Sequence, residues 1–158
     1  MMDTTGKYSF RDATKADQAW LTRLHQDSYS TLIAELYDEH DRAWQEGFFA
    51  ARIGHPTQIV IISQLGQDVG AIYLTNQDDS VVLESLEIST AHQGKGAGSK
   101  ALNWVCTRAN ATDRYVTLKV HKLSDAGRRF YERAGFSIVD EADTHYVMRL
   151  TLGEGVEV

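Results

Sequence analysis

Three glycines within five positions, Gly94, Gly96 and Gly98, mark the strongest candidate for a binding site in this chain. They separate an apolar, strand-like run from a helical pattern. A glycine turn at the start of a helix exposes backbone N–H groups that bind phosphate. A Walker loop has its lysine after the glycines, whereas Lys95 lies between them, and the dinucleotide fingerprint would need glycine in place of Ser99. The spacing therefore indicates either another type of phosphate-binding turn or a flexible loop that packs through glycine.

The elements that must position this turn follow from hydrophobic periodicity. Strand patterns occur in seven segments, namely YSFRDA (8–13), TQIVIISQ (57–64), DVGAIYLTN (68–76), SVVLESLEI (80–88), YVTLKV (115–120), FSIVDEA (136–142) and HYVMRLTL (145–152). Helical spacing follows an N-cap signature at Thr14, occurs twice between Tyr29 and Arg52, and returns after the glycine turn and between Ser124 and Gly135. This order favours a mixed sheet with helices on both faces over a regular βαβ array.

Composition limits the class of protein. The 158 residues, 42% hydrophobic and 24% charged, favour one globular domain spanning 1–158. A net charge of −6 argues against nucleic acid, whose binding needs clustered lysine and arginine. The longest aliphatic run, Ile59–Ile62, is too short for a membrane span, and the single Cys106 excludes an internal disulfide, so we expect a cytoplasmic protein. The six histidines and one cysteine fit no metal motif, so no metal is expected.

Two motifs show which family the chain resembles. Read from Gln93, the glycine segment QGKGAG matches the Q/R-x-x-G-x-G/A signature of the GNAT superfamily of acyl-CoA N-acyltransferases. Downstream, KLSDAGRRFYERAGF keeps Tyr131, Gly135 and Phe136 in register with the family's second motif. The resemblance extends over Val81–Leu150. It implies an α+β GNAT fold, with a mixed, mostly antiparallel central sheet of six to seven strands and helices on both faces.

The chain departs from the family at two positions of the second motif. Ser124 stands where the family usually has asparagine, and Gly127 stands where it usually has alanine. Because that asparagine normally helps to position the cofactor and the helix of Tyr131, a non-catalytic CoA-binding sensor or interaction module on the same fold remains an alternative.

The resemblance implies that acetyl-CoA is the cosubstrate. In the family, the amides of the glycine turn bind the pyrophosphate, and the end of the preceding strand pairs with the pantetheine arm. The residues expected to bind acetyl-CoA are therefore Leu86, Glu87, Ile88, Gln93, Gly94, Lys95, Gly96, Ala97, Gly98, Ser99, Ser124 and Tyr131.

The implied reaction is direct attack of an amine on the thioester within a ternary complex. An amine with a pKa of about 10 is mostly protonated at neutral pH, so a carboxylate or a water chain must take a proton. Strand alternation is expected to place Glu84 among apolar side chains, which makes it the first candidate for the base. Glu87 points the other way unless a bulge intervenes, and it is the second candidate. Tyr131 occupies the family's position for the general acid that protonates the CoA thiolate.

The sequence thus predicts an acetyl-CoA-dependent N-acetyltransferase that acts on a primary amine. A small-molecule acceptor is favoured, by the pattern around Glu84 and by the aromatic residues between Tyr29 and Arg52. A protein N-terminus or a lysine side chain remains open as the acceptor, and a homodimer remains open as the assembly.

Overall fold

The computed structural model describes residues 7–36 and 57–150, and in these ranges it contains seven strands and three α-helices. In chain order the elements are β1 (Tyr8–Asp12), α1 (Gln18–Leu36), β2 (Thr57–Gln64), β3 (Gln67–Asn76), β4 (Ser80–Ile88), α2 (Ala97–Ala111), β5 (Tyr115–His121), α3 (Asp125–Arg133), β6 (Ser137–Glu141) and β7 (His145–Leu150). Two short 3₁₀ turns, Lys15–Asp17 and Thr90–His92, precede α1 and α2.

The strands form one seven-stranded sheet in the order β1-β2-β3-β4-β5-β7-β6. Strands β4 and β5 are parallel, with Ser80 opposite Tyr115 and Leu83 opposite Leu118. The pairs β1/β2, β5/β7 and β6/β7 are antiparallel. The prediction of an α+β fold with a mixed, mostly antiparallel sheet is confirmed, at the upper end of the expected strand number.

The hairpin between β2 and β3 shows why the central strands could be located from sequence. Its turn is the two residues Leu65 and Gly66, with φ of 53° and 84°. Positive φ at both positions is the type I′ geometry that suits strand twist, and so short a connection joins antiparallel strands only. Strands β2 and β4 coincide with the predicted segments, and β3 begins one residue earlier than predicted.

The 3₁₀ turn Lys15–Asp17, which leads directly into α1, begins at a polar cap. The backbone N–H of Thr14 donates to Asp17 Oδ2 at 2.9 Å, as the N-cap signature predicted. Two hydrogen bonds of 3.0 Å from the Arg11 guanidinium and the bond from Thr14 lower the pKa of Asp17 to about 2.

The extent of helix α1 corrects one expectation. The sequence predicted a separate helix starting at Tyr29, but α1 runs unbroken from Gln18 to Leu36. No glycine or proline lies in this range, so the polar stretch DSYS at 27–30 interrupts the apolar pattern without interrupting the backbone. The second helix predicted before Arg52 lies outside the described residues. None of the described helices has an apolar stretch long enough to cross a bilayer.

The described residues divide into two compact units, and β3 and β4 contribute to both. The first unit comprises the described residues up to Tyr73 together with Ser85–Gly98. Its core packs one face of α1 against β2 and β3, and consists of Leu21, Leu24, Ile59, Ile61, Ala71 and Tyr73. The prediction of a single domain over 1–158 stays a prediction.

The second unit comprises Leu74–Glu84 and the described residues from Ser99 onward. The inner face of α2 carries four buried residues at helical spacing, namely Leu102, Val105, Cys106 and Ala109. Helix α3 follows Ser124, whose carbonyl oxygen accepts the N–H of Arg128 at 3.0 Å but whose side chain makes no capping hydrogen bond. The helix is followed by Gly135 in the left-handed region, with φ of 102°.

Candidate active site

The glycine turn has the geometry that anion binding needs. Gly94 and Gly96 have φ of 74° and 93°, and a Cβ added to either would meet no atom within 4 Å. Among the described residues, no carbonyl or side chain accepts a hydrogen bond from the N–H groups of Gly94, Lys95 or Gly96. The amides of the first turn of α2, which begins at Ala97, have no intrahelical acceptors either. The turn therefore offers a row of available donors at the positive end of a 15-residue helix.

Side chains fix the approach to this turn. The Gln93 amide donates to the carbonyl of Ile88 at 2.9 Å, which links the turn to the end of β4. Asp27 on α1 accepts hydrogen bonds from the backbone N–H and the hydroxyl of Thr90, at 3.3 and 3.1 Å. The Ser89 hydroxyl lies 2.7 Å from His92 Nδ1. The first part of the loop, from Ser89 to Gln93, is thus held by hydrogen bonds to β4, to α1 and within the loop.

These features fit the acetyl-CoA assignment. The open space outside Gly94 and Gly96 would be filled by side chains at any other residue type, and the exposed Lys95 adds positive charge. Of the other residues predicted to contact acetyl-CoA, Leu86, Ile88, Gly98 and Ser124 are half-buried, Gln93 and Ser99 are exposed, and Ala97 is buried.

Of the two candidate bases on β4, Glu87 is the buried one. Only 1% of its surface is exposed, and its Oε2 lies 2.8 Å from His25 Nδ1 of α1 and accepts the Ser85 hydroxyl at 3.0 Å. Its other oxygen, Oε1, is buried and has no hydrogen-bond partner among the described residues. A buried carboxylate oxygen without a donor is costly, so this arrangement favours a ligand that brings a donor to Oε1.

Glu84 corrects the expectation that it lies among apolar side chains. It is exposed, and it accepts the Thr75 hydroxyl at 2.8 Å. The buried face of β4 carries Val81, Leu83, Ser85 and Glu87, whereas Val82, Glu84, Leu86 and Ile88 are half-buried or exposed. Both faces of this strand contain apolar residues, so alternation alone could not show which face is covered.

A close backbone contact determines how β3 and β4 meet at Glu87. A Cβ on Gly70 would lie 2.5 Å from the Glu87 carbonyl oxygen and 2.9 Å from Ile88 Cδ1. The N–H of Ser89 donates to the Val69 carbonyl at 2.8 Å beside this contact. Only glycine at position 70 lets the two strands approach this closely.

Tyr131 lies on α3 within a small aromatic group. Its ring makes edge contacts with Phe130 and Phe136, at centroid distances of 5.0 and 5.8 Å. Burial raises the pKa of Tyr131 to about 12, so the hydroxyl stays protonated at any pH at which the enzyme would work. No side chain or carbonyl of the described ranges pairs with this hydroxyl.

The two departures from the family motif are in contact with each other. A Cβ on Gly127 would lie 2.7 Å from Ser124 Oγ and 3.2 Å from Val120 Cγ2. Alanine at 127 would therefore require the Ser124 hydroxyl to rotate away and the Val120 side chain to shift slightly. Cys106 is buried on the inner face of α2, and this burial raises the pKa of its thiol to about 12.

Sequence reasoning missed two residues of this site, His25 and Asp27. His25 was detectable, because it follows Leu21 and Leu24 at helical spacing and so places a titratable side chain on an apolar face. Asp27 carried no such signal, since an exposed aspartate on a helix is ordinary.

The chain is similar to known acetyltransferases in sequence and in fold. The model of the GNAT acetyltransferase family matches residues 18–136. The fold is similar to the PaiA N-acetyltransferase of Thermoplasma acidophilum in complex with coenzyme A, with a TM-score of 0.79 and 16% identity over 91% of this chain and 98% of that one. A comparison with curated proteins gives no significant match.

Two other solved structures have a similar fold. The ribosomal-protein-S18-alanine N-acetyltransferase of Escherichia coli has a TM-score of 0.72 at 16% identity, covering 96% of this chain and 99% of that one. Naa50 of Arabidopsis thaliana, in complex with the bisubstrate analogue CoA-Ac-MVNAL, has a TM-score of 0.68 at 19% identity, covering 92% and 99%. At these identities the likeness concerns the fold alone.

The family match covers both sequence motifs up to Phe136, and the turn between β4 and α2 has the geometry that the first motif requires. The resemblance inferred from sequence is therefore confirmed: the chain belongs to the GNAT family of acetyltransferases, enzymes that use acetyl-CoA.

Proposed function

We propose that this enzyme transfers the acetyl group of acetyl-CoA to a primary amine, with Glu87 as the general base. The observation that carries the proposal is the buried Glu87 carboxylate, whose Oε1 has no partner in the described part of the chain. Glu87 first takes a proton from the ammonium ion, and the neutral nitrogen then attacks the thioester carbonyl carbon. The carbon–sulfur bond breaks, the nitrogen loses a second proton, and a proton reaches the CoA sulfur, so that the amide and the CoA thiol are formed.

Glu87 replaces Glu84 as the first candidate because of its surroundings. An alkyl amine with a pKa of about 10 arrives as an ammonium ion, and a buried carboxylate attracts that ion more strongly than an exposed one. Glu87 Oε2 is already occupied by His25 and Ser85, so Oε1 is the oxygen available to the amine. Glu84 is exposed, so water competes with it for the proton of the amine, and it already accepts the Thr75 hydroxyl.

The proposed roles of the remaining residues come from the family motifs and from local geometry. The amides from Gly94 to Gly98 would bind the pyrophosphate of acetyl-CoA, and Leu86 and Ile88 would flank its pantetheine arm. Tyr131 would donate to the departing sulfur as general acid. Its pKa of about 12 lies well above the pKa of a thiol, about 8.5, so its help is greatest as a hydrogen bond to the developing negative charge.

The acceptor is proposed to be a small-molecule amine. Glu87 is almost completely inaccessible to solvent, which favours an unhindered primary amine over a branched or secondary one. A protein N-terminus is the second candidate, because the fold is similar to an alanine N-acetyltransferase for a ribosomal protein and to Naa50 bound to a peptide-containing analogue.

An acetyl-transfer assay on a panel of amines tests this proposal. The panel contains alkyl diamines, arylalkylamines, peptides with free N-termini and peptides with an internal lysine. Release of CoA is followed with a thiol reagent, to which the buried Cys106 should contribute little background. Turnover with a small amine supports the proposal. Turnover with peptides alone selects the second candidate, and binding of acetyl-CoA without any transfer identifies a CoA-binding module.

Two variants that introduce the same negative charge at different glycines test the cofactor site. Gly96→Asp puts a carboxylate where the pyrophosphate must lie, so calorimetry should show that CoA affinity falls by orders of magnitude. Gly66→Asp adds the same charge at another exposed glycine of positive φ, in the β2–β3 turn, and should bind CoA normally. Undiminished binding by folded Gly96→Asp would contradict the assignment of the turn.

The compartment and the assembly are part of the proposal as well. We place the enzyme in the reducing cytoplasm, because its single thiol is not available for a disulfide within the chain. Cell fractionation tests the compartment, and size-exclusion chromatography distinguishes a monomer from the homodimer that the sequence left open.

A further inference from the structure

We propose that His25 is a positioning residue that holds Glu87 Oε2 and thereby makes Oε1 the reacting oxygen. The proposal rests on the proposed function of Glu87 as the base, and it assigns a role to a side chain of helix α1 that lies outside both family motifs.

The geometry around Glu87 is asymmetric. His25 Nδ1 lies 2.8 Å from Oε2, and the Ser85 hydroxyl donates to the same oxygen at 3.0 Å. The side chains of His25 and Glu87 are 5% and 0% exposed, so water does not compete for this contact. Oε1 has no partner within the described ranges. One oxygen of the carboxylate is therefore anchored twice, and the other is left for a ligand.

The two anchors differ in what they fix. Ser85 lies two residues before Glu87 on the same strand, so it moves with Glu87 when β4 moves. His25 comes from α1 and ties the carboxylate to the helix that packs on the core of Leu21, Leu24 and Tyr73. Rotation of the carboxylate would break both bonds to Oε2, so a fixed oxygen faces the amine. A base held in this way keeps the near-attack geometry on which rate depends steeply.

A purely structural reason for His25 is weak. Its neighbours at helical spacing, Leu21 and Leu24, are buried and apolar, and leucine at position 25 would extend the same apolar face. Replacing both partners of a buried hydrogen bond with apolar side chains is often nearly neutral or stabilising. The polar residue is therefore better explained by what it does to Glu87 than by the packing of α1.

Three substitutions at position 25 separate these explanations. In His25→Asn the amide nitrogen is the same number of bonds from the backbone as Nδ1, so a donor to Oε2 is retained. In His25→Gln the amide nitrogen lies one bond farther out, near the place of Nε2, and His25→Leu removes the donor. Gln26→Ala, at an exposed position of the same helix, is the control.

We expect kcat to fall by roughly 10²-fold in His25→Leu and His25→Gln, the usual scale for a misplaced catalytic group. His25→Asn should recover turnover to within about tenfold of wild type, because positioning needs the donor rather than the imidazole ring. The KM for acetyl-CoA should change by no more than about twofold in all variants, since the glycine turn is untouched. Gln26→Ala should behave as wild type.

The outcomes also separate this proposal from the proposed function. If Glu87→Gln has normal turnover, the base assignment fails and His25 has nothing to position. If Glu87→Gln is inactive while folded His25→Leu and His25→Gln are normal, only the role of His25 is overturned. Equal loss in His25→Asn and His25→Gln, with unchanged melting temperatures, overturns it too, because a restored donor then gives no rescue. Should His25→Leu fail to fold, the comparison of asparagine with glutamine still decides.

Discussion

Glu84 and Glu87 lie three residues apart on the same strand, yet they occupy opposite environments. Glu84 is exposed and accepts one hydrogen bond, from the Thr75 hydroxyl. Glu87 is buried and accepts the Ser85 hydroxyl beside a histidine from another element. An odd number of positions along a strand reverses the face, so two identical side chains have different chemistry available to them.

The contrast shows that the surroundings of a carboxylate decide how costly its charge is. An exposed glutamate is solvated, and its charge costs little and is strongly screened. A buried glutamate is costly unless donors and a cationic ligand stabilise it, so its presence in a core indicates a use.

Removing each carboxylate in turn tests most directly whether Glu87 and Glu84 differ in function. Glu87→Gln should lower kcat by roughly 10²- to 10⁴-fold, the range for loss of a general base, because the amide cannot accept the proton of the amine. Glu84→Gln should change kcat by less than about twofold, since solvent already surrounds that side chain. Steady-state kinetics on the two variants decides. The opposite ranking would return Glu84 to the active site, and equal small effects would favour a water chain.

Loss of the proposed general acid, Tyr131, is expected to have the next largest effect on kcat. Tyr131→Phe keeps the ring contacts with Phe130 and Phe136 and removes only the hydroxyl, so we expect kcat to fall by roughly 10²-fold with unchanged acetyl-CoA binding. Because the pKa of Tyr131 is raised to about 12, its hydroxyl stays protonated as pH rises from 7 to 10, and the loss should be constant over that range. A pH–rate profile in which the two proteins converge by pH 9 would contradict the assignment.

The backbone that places Glu87 can be tested without touching the carboxylate. Gly70→Ala brings a Cβ to 2.5 Å from the Glu87 carbonyl oxygen, so we expect the free energy of unfolding to fall by about 1–3 kcal/mol, as for other overpacked sites. Turnover should fall as well, because β4 must shift. Gly66→Asn is the matched control, since asparagine tolerates positive φ and that site is open. Urea unfolding of both variants measures the difference, and a neutral Gly70→Ala would show that the strands can separate freely.

Asp17 is a third carboxylate that can be compared with Glu87. It has close hydrogen-bond partners, but it is less buried than Glu87. Asp17→Asn removes the bonds to Arg11 and weakens the cap at Thr14, so the free energy of unfolding should fall by about 1 kcal/mol at pH 7, with no change in kcat. The pKa of Asp17 is lowered from 3.8 to about 2, so its contribution is complete above pH 4 and is lost as pH falls toward 2. Thermal melts at pH 7 and pH 2 should show a much smaller difference between wild type and variant at the acidic end. A difference of the same size at pH 2 would assign the effect to packing.

The sequence was sufficient where short-range rules decide the outcome. The turn at Leu65 and Gly66, the glycines at 94 and 96 and the inner face of α2 follow from local conformation and periodicity. The site was predicted less well because it depends on long-range packing. With apolar residues on both faces of β4, no local pattern could show that the face of Glu87 meets His25. Gly70 did carry a signal, since an isolated glycine within a strand often marks a close backbone approach.

The contact between His25 and Glu87 joins residues 62 positions apart in sequence. Contacts of this separation are slow to form in folding, because closing a long loop costs entropy before the contact stabilises anything. A chain whose central strands have paired but whose helix α1 has not yet packed would therefore hold a complete glycine turn and an unanchored Glu87 carboxylate. If His25 positions Glu87 as proposed, recovery of CoA binding during refolding precedes recovery of acetyl transfer, and the interval between them measures the docking of one helix.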